Sequence, residues 1–160
     1  MAPPATIHRV RIDLSDVDRG VYEALDFRVA RHPSETLRFM LTRILAYALA
    51  YEEGIAFSKA GLHDSDEPPV AIHDPTGASP QLRVWIDVGS PAAPRLHKAA
   101  KSAKAVRIFT HSELASLRAE AASIHKASTI AVTTIAPAFL DALEGHVDRH
   151  FTLQLIRNDG

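Results

Sequence analysis

The sequence predicts one domain of mixed α/β class, an α+β arrangement whose strands form a mixed sheet. Two kinds of apolar spacing support this prediction. Apolar and polar residues alternate in several short segments, which is the pattern of a strand with one buried face. Apolar residues also recur every three and four positions between Leu37 and Tyr51, the pattern of a helix on a core. The length of 160 residues fits a single domain, 1–160.

Composition narrows the class of protein. The formal net charge is -1, so the sequence does not predict a nucleic-acid or membrane binder driven by total charge. The absence of cysteine excludes disulfide scaffolds, thiolate zinc sites and cysteine nucleophiles. The first residues lack the pattern of a signal peptide, and the longest apolar stretches are too short to span a bilayer. We therefore expect a cytoplasmic protein without a membrane partner.

The first predicted element is a β-hairpin over residues 5–30. Val10, Ile12 and Leu14 alternate with charged residues in its first half. Residues 15–20 are polar and end in glycine, a composition typical of a turn, and the alternation then resumes at Leu25.

A helix is predicted to begin in the segment His32-Pro33-Ser34-Glu35-Thr36. Ser34 is the predicted N-cap, because its hydroxyl can accept a hydrogen bond from a free backbone N–H. Glu35 would then lie in the first turn, where a negative charge suits the helix dipole. Gly54 is the predicted end of this helix.

The rest of the chain alternates strand and helix patterns. Predicted strands cover residues 55–57, 70–73, 82–88, 106–110, 129–133 and 151–156. Predicted helices cover residues 91–103, 112–124 and 137–144. The last three residues, Asn158-Asp159-Gly160, have the composition of a turn, so we expect further strand-forming sequence beyond them.

Acidic residues occupy informative positions between residues 34 and 110. They are Glu35, Asp64, Asp66, Glu67 and Asp87. Basic residues follow at Arg95, Lys98, Lys101, Lys104 and Arg107. Carboxylates beside cations suit a hard divalent ion such as Mg²⁺ with a phosphate group. Each residue also has a structural interpretation: Asp87 as the cap of a turn, Glu35 as a dipole partner, and the others as a solvated loop or helix face.

Other chemistries have weaker support. The sequence lacks G-x-G-x-x-G, G-x-x-x-x-G-K and G-x-S-x-G motifs. His63 and His73 flank the acidic loop, and His146 and His150 are four residues apart, but there is no H-E-x-x-H pattern. Hydrogen-bonded or surface histidines are the better interpretation.

Several segments resemble the YaeQ family of bacterial proteins. They include Ala30-Arg31-His32-Pro33-Ser34-Glu35-Thr36, Asp66-Glu67-Pro68 and Trp85-Ile86-Asp87-Val88-Gly89. This resemblance implies a variant of the restriction-endonuclease-like PD-(D/E)xK fold, with a nuclease-like core over 34–110 and a C-terminal α/β extension over 111–160. Family members continue beyond the point that matches Gly160, so the resemblance implies a chain truncated at its C-terminus.

The resemblance also implies roles for individual residues. Glu35 would be the acidic residue of the first core helix, and Asp66 or Glu67 would lie near the usual aspartate. Asp87 would be the acidic residue of the (D/E)xK element. Gly89 stands where that element has lysine, so the lysine function would pass to Lys98 or Arg95, with Lys59 as a further candidate.

The predicted function is that of a Mg²⁺-dependent or Mn²⁺-dependent nuclease or phosphodiesterase acting on nucleic acid. The predicted catalytic residues are Asp87, Lys98 and Glu35, the metal ligands are Asp66, Glu67 and Asp87, and the nucleic-acid-binding residues are Arg95, Lys98 and Lys101. The alternative is a non-catalytic module that binds nucleic acid or protein and keeps a degenerate nuclease fold. The sequence specifies no protein partner.

Overall fold

The computed structural model describes residues 3–59 and 66–160. Eight strands are present in these residues: β1 (Thr6–Asp16), β2 (Val21–Arg31), β3 (Ile55–Phe57), β4 (Val70–Ile72), β5 (Leu82–Val88), β6 (Ala103–Thr110), β7 (Ala131–Thr134) and β8 (His150–Arg157). The four α-helices are α1 (Leu37–Leu49), α2 (Ala93–Ser102), α3 (Ala115–Ala119) and α4 (Pro137–Glu144). The predicted mixed α/β class is confirmed, but the described strands form two mixed sheets and not the single one predicted.

The first sheet has the order β2-β1-β8. β1 and β2 pair antiparallel from Thr6 opposite Arg31 to Asp16 opposite Val21, so the predicted hairpin is confirmed and covers residues 6–31 instead of 5–30. β8 pairs parallel to β1, with Arg9 opposite His150. The inward side chains of this sheet form the largest apolar cluster together with α1 and α4.

The second sheet has the order β3-β4-β5-β6-β7. β3, β4 and β5 pair antiparallel, whereas β5, β6 and β7 pair parallel. The predicted order of helix, three strands, helix and strand is therefore confirmed from α1 to β6. Val84, Ile86 and Val88 of β5 pack toward α1, and Trp85 packs toward α2. Because side chains alternate along a strand, Asp87 shares the α2 face with Trp85.

Helix α1 begins later and ends earlier than predicted. Thr36, not Ser34, is the N-cap, and its hydroxyl oxygen accepts a hydrogen bond from the Phe39 N–H at 3.1 Å. The Glu35 N–H is bonded to the His32 carbonyl at 2.9 Å, so residues 32–35 form a turn before the helix. Glu35 is therefore outside the first helical turn. The helix ends at Leu49, five residues before Gly54.

The predicted helix over 112–124 is wrong in extent. Only Ala115–Ala119 is α-helical, and two 3₁₀ turns follow at Ala121–Ser123 and Ala127–Thr129. The Ser123 hydroxyl donates to the Glu120 carbonyl at 2.8 Å, a local bond that competes with helix continuation. Ile124 is buried against the α2 cluster, so the chain turns back toward the sheet there.

Smaller differences concern the ends of elements. α2 begins at Ala93, β6 already begins at Ala103, and β7 covers Ala131–Thr134 instead of 129–133. Within residues 3–59 and 66–160, no helix is long and apolar enough to cross a membrane.

Candidate functional site

Asp87 is a buried carboxylate near the end of β5. Its side chain lies on the face of the strand that α2 covers, and the residue is only 2% exposed. The Trp85 Nε1–H donates to its Oδ2 at 3.0 Å. Trp85 is only 1% exposed, and its indole also positions the Asp87 carboxylate.

Arg95, in the first turn of α2, compensates the charge of Asp87. Its Nε–H donates to both Asp87 oxygens, at 3.1 and 3.0 Å. Its Nη2 donates to the Glu67 carbonyl oxygen at 3.1 Å, and its Cζ lies 5.4 Å from the centre of the Trp85 ring. The α2 helix follows β5 directly, and this connection places Arg95 beside the strand end.

Lys98 lies one helical turn after Arg95 and forms an ion pair with Asp66. The two side chains are 48% and 69% exposed, so solvent screens this pair strongly. The Glu67 carboxylate accepts a hydrogen bond from the Ser58 hydroxyl at 2.7 Å. The structure thus brings five predicted site residues to the same end of the second sheet. These residues, called the Asp87 group below, are Asp66, Glu67, Asp87, Arg95 and Lys98.

A hollow of about 410 Å³ adjoins this group. Ser58, Lys59, Asp66, Glu67 and His73 supply its polar lining. Lys59, the further candidate, lies two residues after the end of β3 and lines the same hollow as the acidic pair.

Lys101, in contrast, does not lie with the Asp87 group. It lies in the last turn of α2 and lines a separate hollow with Lys104 and Lys126. His97 and His125 meet nearby, where the His125 N–H donates to His97 Nδ1 at 3.0 Å. This pair agrees with the hydrogen-bonded interpretation of the histidines.

Glu35 is held by a different partner. Arg43 donates from Nε to its Oε1 and from Nη2 to its Oε2, both at 3.1 Å, and the His32 N–H donates to Oε2 at 3.2 Å. Both residues are buried. Burial raises the pKa of Glu35 above its ordinary value, although the Arg43 guanidinium opposes that shift.

Arg43 is not among the site residues that were predicted from the sequence. A sequence signal for it exists, because it lies among apolar residues on the buried side of α1. A cation at such a position requires a carboxylate partner, and Glu35 is eight residues earlier.

Gly89 has a backbone conformation that disfavours the lysine of the (D/E)xK element. Its φ is +83°, in the left-handed region that glycine adopts without steric cost. A Cβ at this position would lie 3.6 Å from the Phe39 ring, so space is adequate and the backbone is the constraint.

The oxygen atoms of the Asp87 group are of the kind that a hard cation such as Mg²⁺ prefers as ligands. Asp66 and Asp87 offer carboxylate oxygens, Glu67 offers a carbonyl oxygen, and Mg²⁺ needs only one or two carboxylates beside water and phosphate. The Arg95 guanidinium already links the Asp87 and Glu67 oxygens. Among the described residues, no three His, Asp or Glu side chains group closely enough to hold a metal. As the described residues are placed, Asp87 is paired with Arg95 and Asp66 with Lys98, so a divalent ion would have to displace these cations. His63 and Asp64 lie outside the described residues.

The architecture and this site can be compared with known proteins. Residues 1–160 match the family model described as YaeQ protein. The chain belongs to the YaeQ family. The YaeQ resemblance stated from sequence segments is thereby confirmed over the whole chain.

Two curated YaeQ relatives, from Escherichia coli (strain K12) and Salmonella typhi, are each 30% identical over 164 residues. Each match covers 100% of this chain and 88% of the relative, and both relatives are described as uncharacterized.

Two crystal structures of YaeQ proteins share the fold. The protein from Pseudomonas syringae matches with a TM-score of 0.82 at 30% identity, over 99% of this chain and 87% of that one. The protein from Xanthomonas axonopodis pv. citri gives a TM-score of 0.84 at 29% identity, over 98% of this chain and 88% of that one.

Proposed function

We propose that this YaeQ protein is a nuclease-like phosphodiesterase with a variant PD-(D/E)xK core, acting at the Asp87 group on nucleic acid. The observation that supports this proposal is the position of Asp87. It is a buried carboxylate at the end of a core strand, beside a second acidic segment and two cations from one helix. Strand ends and the loops that follow them are common places for catalytic groups on a rigid scaffold.

Each residue of the group has a proposed role. Asp87, Asp66 and the Glu67 carbonyl would hold Mg²⁺ or Mn²⁺, which polarises a phosphoryl oxygen and activates water when bound. Arg95 and Lys98 would stabilise the charge that develops on the phosphate. The role of the Glu67 carboxylate as a metal ligand and the catalytic role of Glu35 stay predictions. In this proposal Glu35 positions Arg43.

Arg95 controls access to Asp87 in this proposal. Its Nε–H occupies both carboxylate oxygens, so it must leave them before Asp87 binds a divalent ion. A phosphate group offers Arg95 an alternative anionic partner with matching bidentate geometry. Substrate binding would therefore favour release of Asp87.

Cleavage of DNA and RNA, both single-stranded and double-stranded, tests the activity in the presence of Mg²⁺ or Mn²⁺. Wild type should cleave at least one of these substrates, and Asp87→Asn should lose that cleavage. Asp13→Asn is the matched control, because Asp13 is exposed on β1 in the first sheet. Equal cleavage by wild type and Asp87→Asn would show that the site is assigned wrongly.

The second candidate is a non-catalytic nucleic-acid-binding module that keeps the fold. The conformation of Gly89 and the direct pairing of Arg95 with Asp87 favour it, because both depart from a metal-loaded nuclease site. In this case Arg95, Lys98 and Lys101 would contact phosphates. Binding should weaken as salt rises and on Lys98→Gln, without any turnover.

A further inference from the structure

A second hollow, of about 280 Å³, lies between β2 and the end of β3. Its ionisable lining residues are Arg28, His32, Arg43 and Lys59, and no described aspartate or glutamate lines it. The hollow is therefore strongly basic, although the whole chain has a net charge of -1.

Arg43 forms the fixed wall of this hollow. Its guanidinium donates to both Glu35 oxygens and to the Ala30 carbonyl at 3.0 Å, and its Cζ lies 5.5 Å from the centre of the Phe57 ring. Its Nη1 makes no hydrogen bond to any described residue. A guanidinium already fixed in place offers its remaining N–H groups to a ligand at little cost in conformational entropy.

The charge balance indicates the chemistry of the ligand. Glu35 compensates Arg43, whereas Arg28 and Lys59 are exposed and form no ion pair with any residue of the described ranges. Two uncompensated cations beside a fixed guanidinium match a doubly charged anion. Phosphate has this charge, and arginine and lysine are its usual protein partners.

We propose that a phosphate group binds in this hollow, held by Arg28, Arg43 and Lys59. The binding needs no metal ion and neither Asp87 nor Lys98, so it goes beyond the proposed function and does not depend on it. The hollow shares Phe57, Ser58 and Lys59 with the hollow at Asp66 and Glu67. The phosphate can therefore belong to a free nucleotide or to a nucleic-acid strand that continues toward the Asp87 group.

Calorimetric titration at low salt with EDTA tests the proposal. The probes are inorganic phosphate, adenosine monophosphate and a short single-stranded DNA. Wild type should bind at least one of them, and Arg28→Gln/Lys59→Gln should bind it about tenfold more weakly, because two charge-assisted contacts are lost. Arg118→Gln is the control, since Arg118 is exposed near β7, at the opposite edge of the second sheet from β3.

The outcomes separate the sources of the phosphate. Binding of phosphate or the mononucleotide indicates a small phosphorylated ligand, and binding of DNA alone indicates a strand. No binding of any probe, or equal binding by wild type and the double variant, would overturn the proposal. The titration contains EDTA, which removes the divalent ions that cleavage requires, so a failure of the cleavage assay is distinguishable from a failure of phosphate binding. Thermal unfolding of each variant verifies that it is folded.

Discussion

Arg95 donates its Nε–H to both carboxylate oxygens of Asp87, at 3.0 and 3.1 Å. The carboxylate is almost entirely buried, whereas a quarter of the Arg95 side chain is exposed. Removing one partner should therefore have a different effect from removing the other. An unpaired Arg95 can turn toward water, whereas an unpaired Asp87 carboxylate stays buried.

Arg95→Gln should destabilise the protein more than Asp87→Asn does. Loss of Arg95 leaves a buried carboxylate without its cation, at a cost of about 3 kcal/mol in the free energy of unfolding. Loss of the Asp87 charge lets Arg95 reach solvent and should cost about 1 kcal/mol. Urea denaturation followed by the fluorescence of Trp85, the single tryptophan, measures both values. Equal costs would show that solvent does not relieve the unpaired guanidinium.

Arg95→Gln should also bind Mn²⁺ more tightly than wild type does. The substitution removes the cation that competes for the Asp87 oxygens, and the neutral amide leaves them accessible. Quenching of Trp85 by Mn²⁺ reports the binding directly, because the indole is bonded to Asp87. Asp87→Asn is the control and should show no saturable quenching. Unchanged affinity in Arg95→Gln would indicate that Arg95 does not compete with the ion.

Arg43→Met should be among the most destabilising single changes in α1. It leaves the buried Glu35 carboxylate without its cation, a change that costs about 3–5 kcal/mol. The double variant Glu35→Leu/Arg43→Met should recover most of that free energy, because no unpaired charge stays buried. Arg83→Gln, which breaks the partly exposed pair with Glu52, should cost less than about 1 kcal/mol. Chemical denaturation compares the three variants with wild type.

The free energy of unfolding should depend on pH at weakly acidic values because of the titration of Glu35. Burial raises the pKa of Glu35 in the folded state, so the folded protein holds this proton more tightly than the unfolded chain does. The resulting stabilisation is complete below the ordinary value of 4.5 and is lost as the pH rises through the raised folded value. Glu35→Gln has no proton to lose. The free energy of unfolding of wild type minus that of Glu35→Gln should therefore fall with rising pH in this window.

Denaturation of both proteins at a series of pH values checks this sign. A difference that rises with pH would mean that the pairing with Arg43 outweighs the effect of burial on the Glu35 pKa.

Gly54→Ala should destabilise the connection between α1 and β3. Gly54 has a φ of +93°, and a Cβ there would lie 2.4 Å from the His73 carbonyl oxygen. The backbone of β3 or of His73 must shift, so we expect a cost of about 2–3 kcal/mol. Gly145→Ala is the control, because its nearest contact would be an ordinary 3.5 Å. Thermal unfolding should show a clear loss of stability for the first variant only.

The spacing of apolar residues predicted the bounds of elements that bury either one face or nearly all of their side chains. The strand Leu82–Val88 and the helix Pro137–Glu144 were predicted with the bounds that the structure has. The start of α1 was not predictable from caps alone, because Ser34 and Thr36 are both good cap residues. The turn that selects Thr36 is stabilised by the buried pairing of Glu35 with Arg43, a tertiary contact.

The site was predictable where its residues adjoin strand ends. Asp87, Asp66 and Lys98 come together as chain order suggested, since β5 leads into α2 and the acidic segment leads into β4. The sequence could not show that Arg95 already occupies the Asp87 oxygens. It also could not show that Glu35 faces Arg43, because both features depend on side-chain directions across packed elements.

The parallel pairing of β8 with β1 has a consequence for synthesis. Arg9 lies opposite His150, so the inner strand of the first sheet keeps one edge unpaired until residues 150–157 have left the ribosome. Such long-range pairing slows folding and exposes a hydrogen-bonding edge in the nascent chain. The second sheet uses only residues 55–134 and can form earlier. Cellular folding should thus form the second sheet before the first sheet is complete, because β1 pairs with β8 only after residues 150–157 are made.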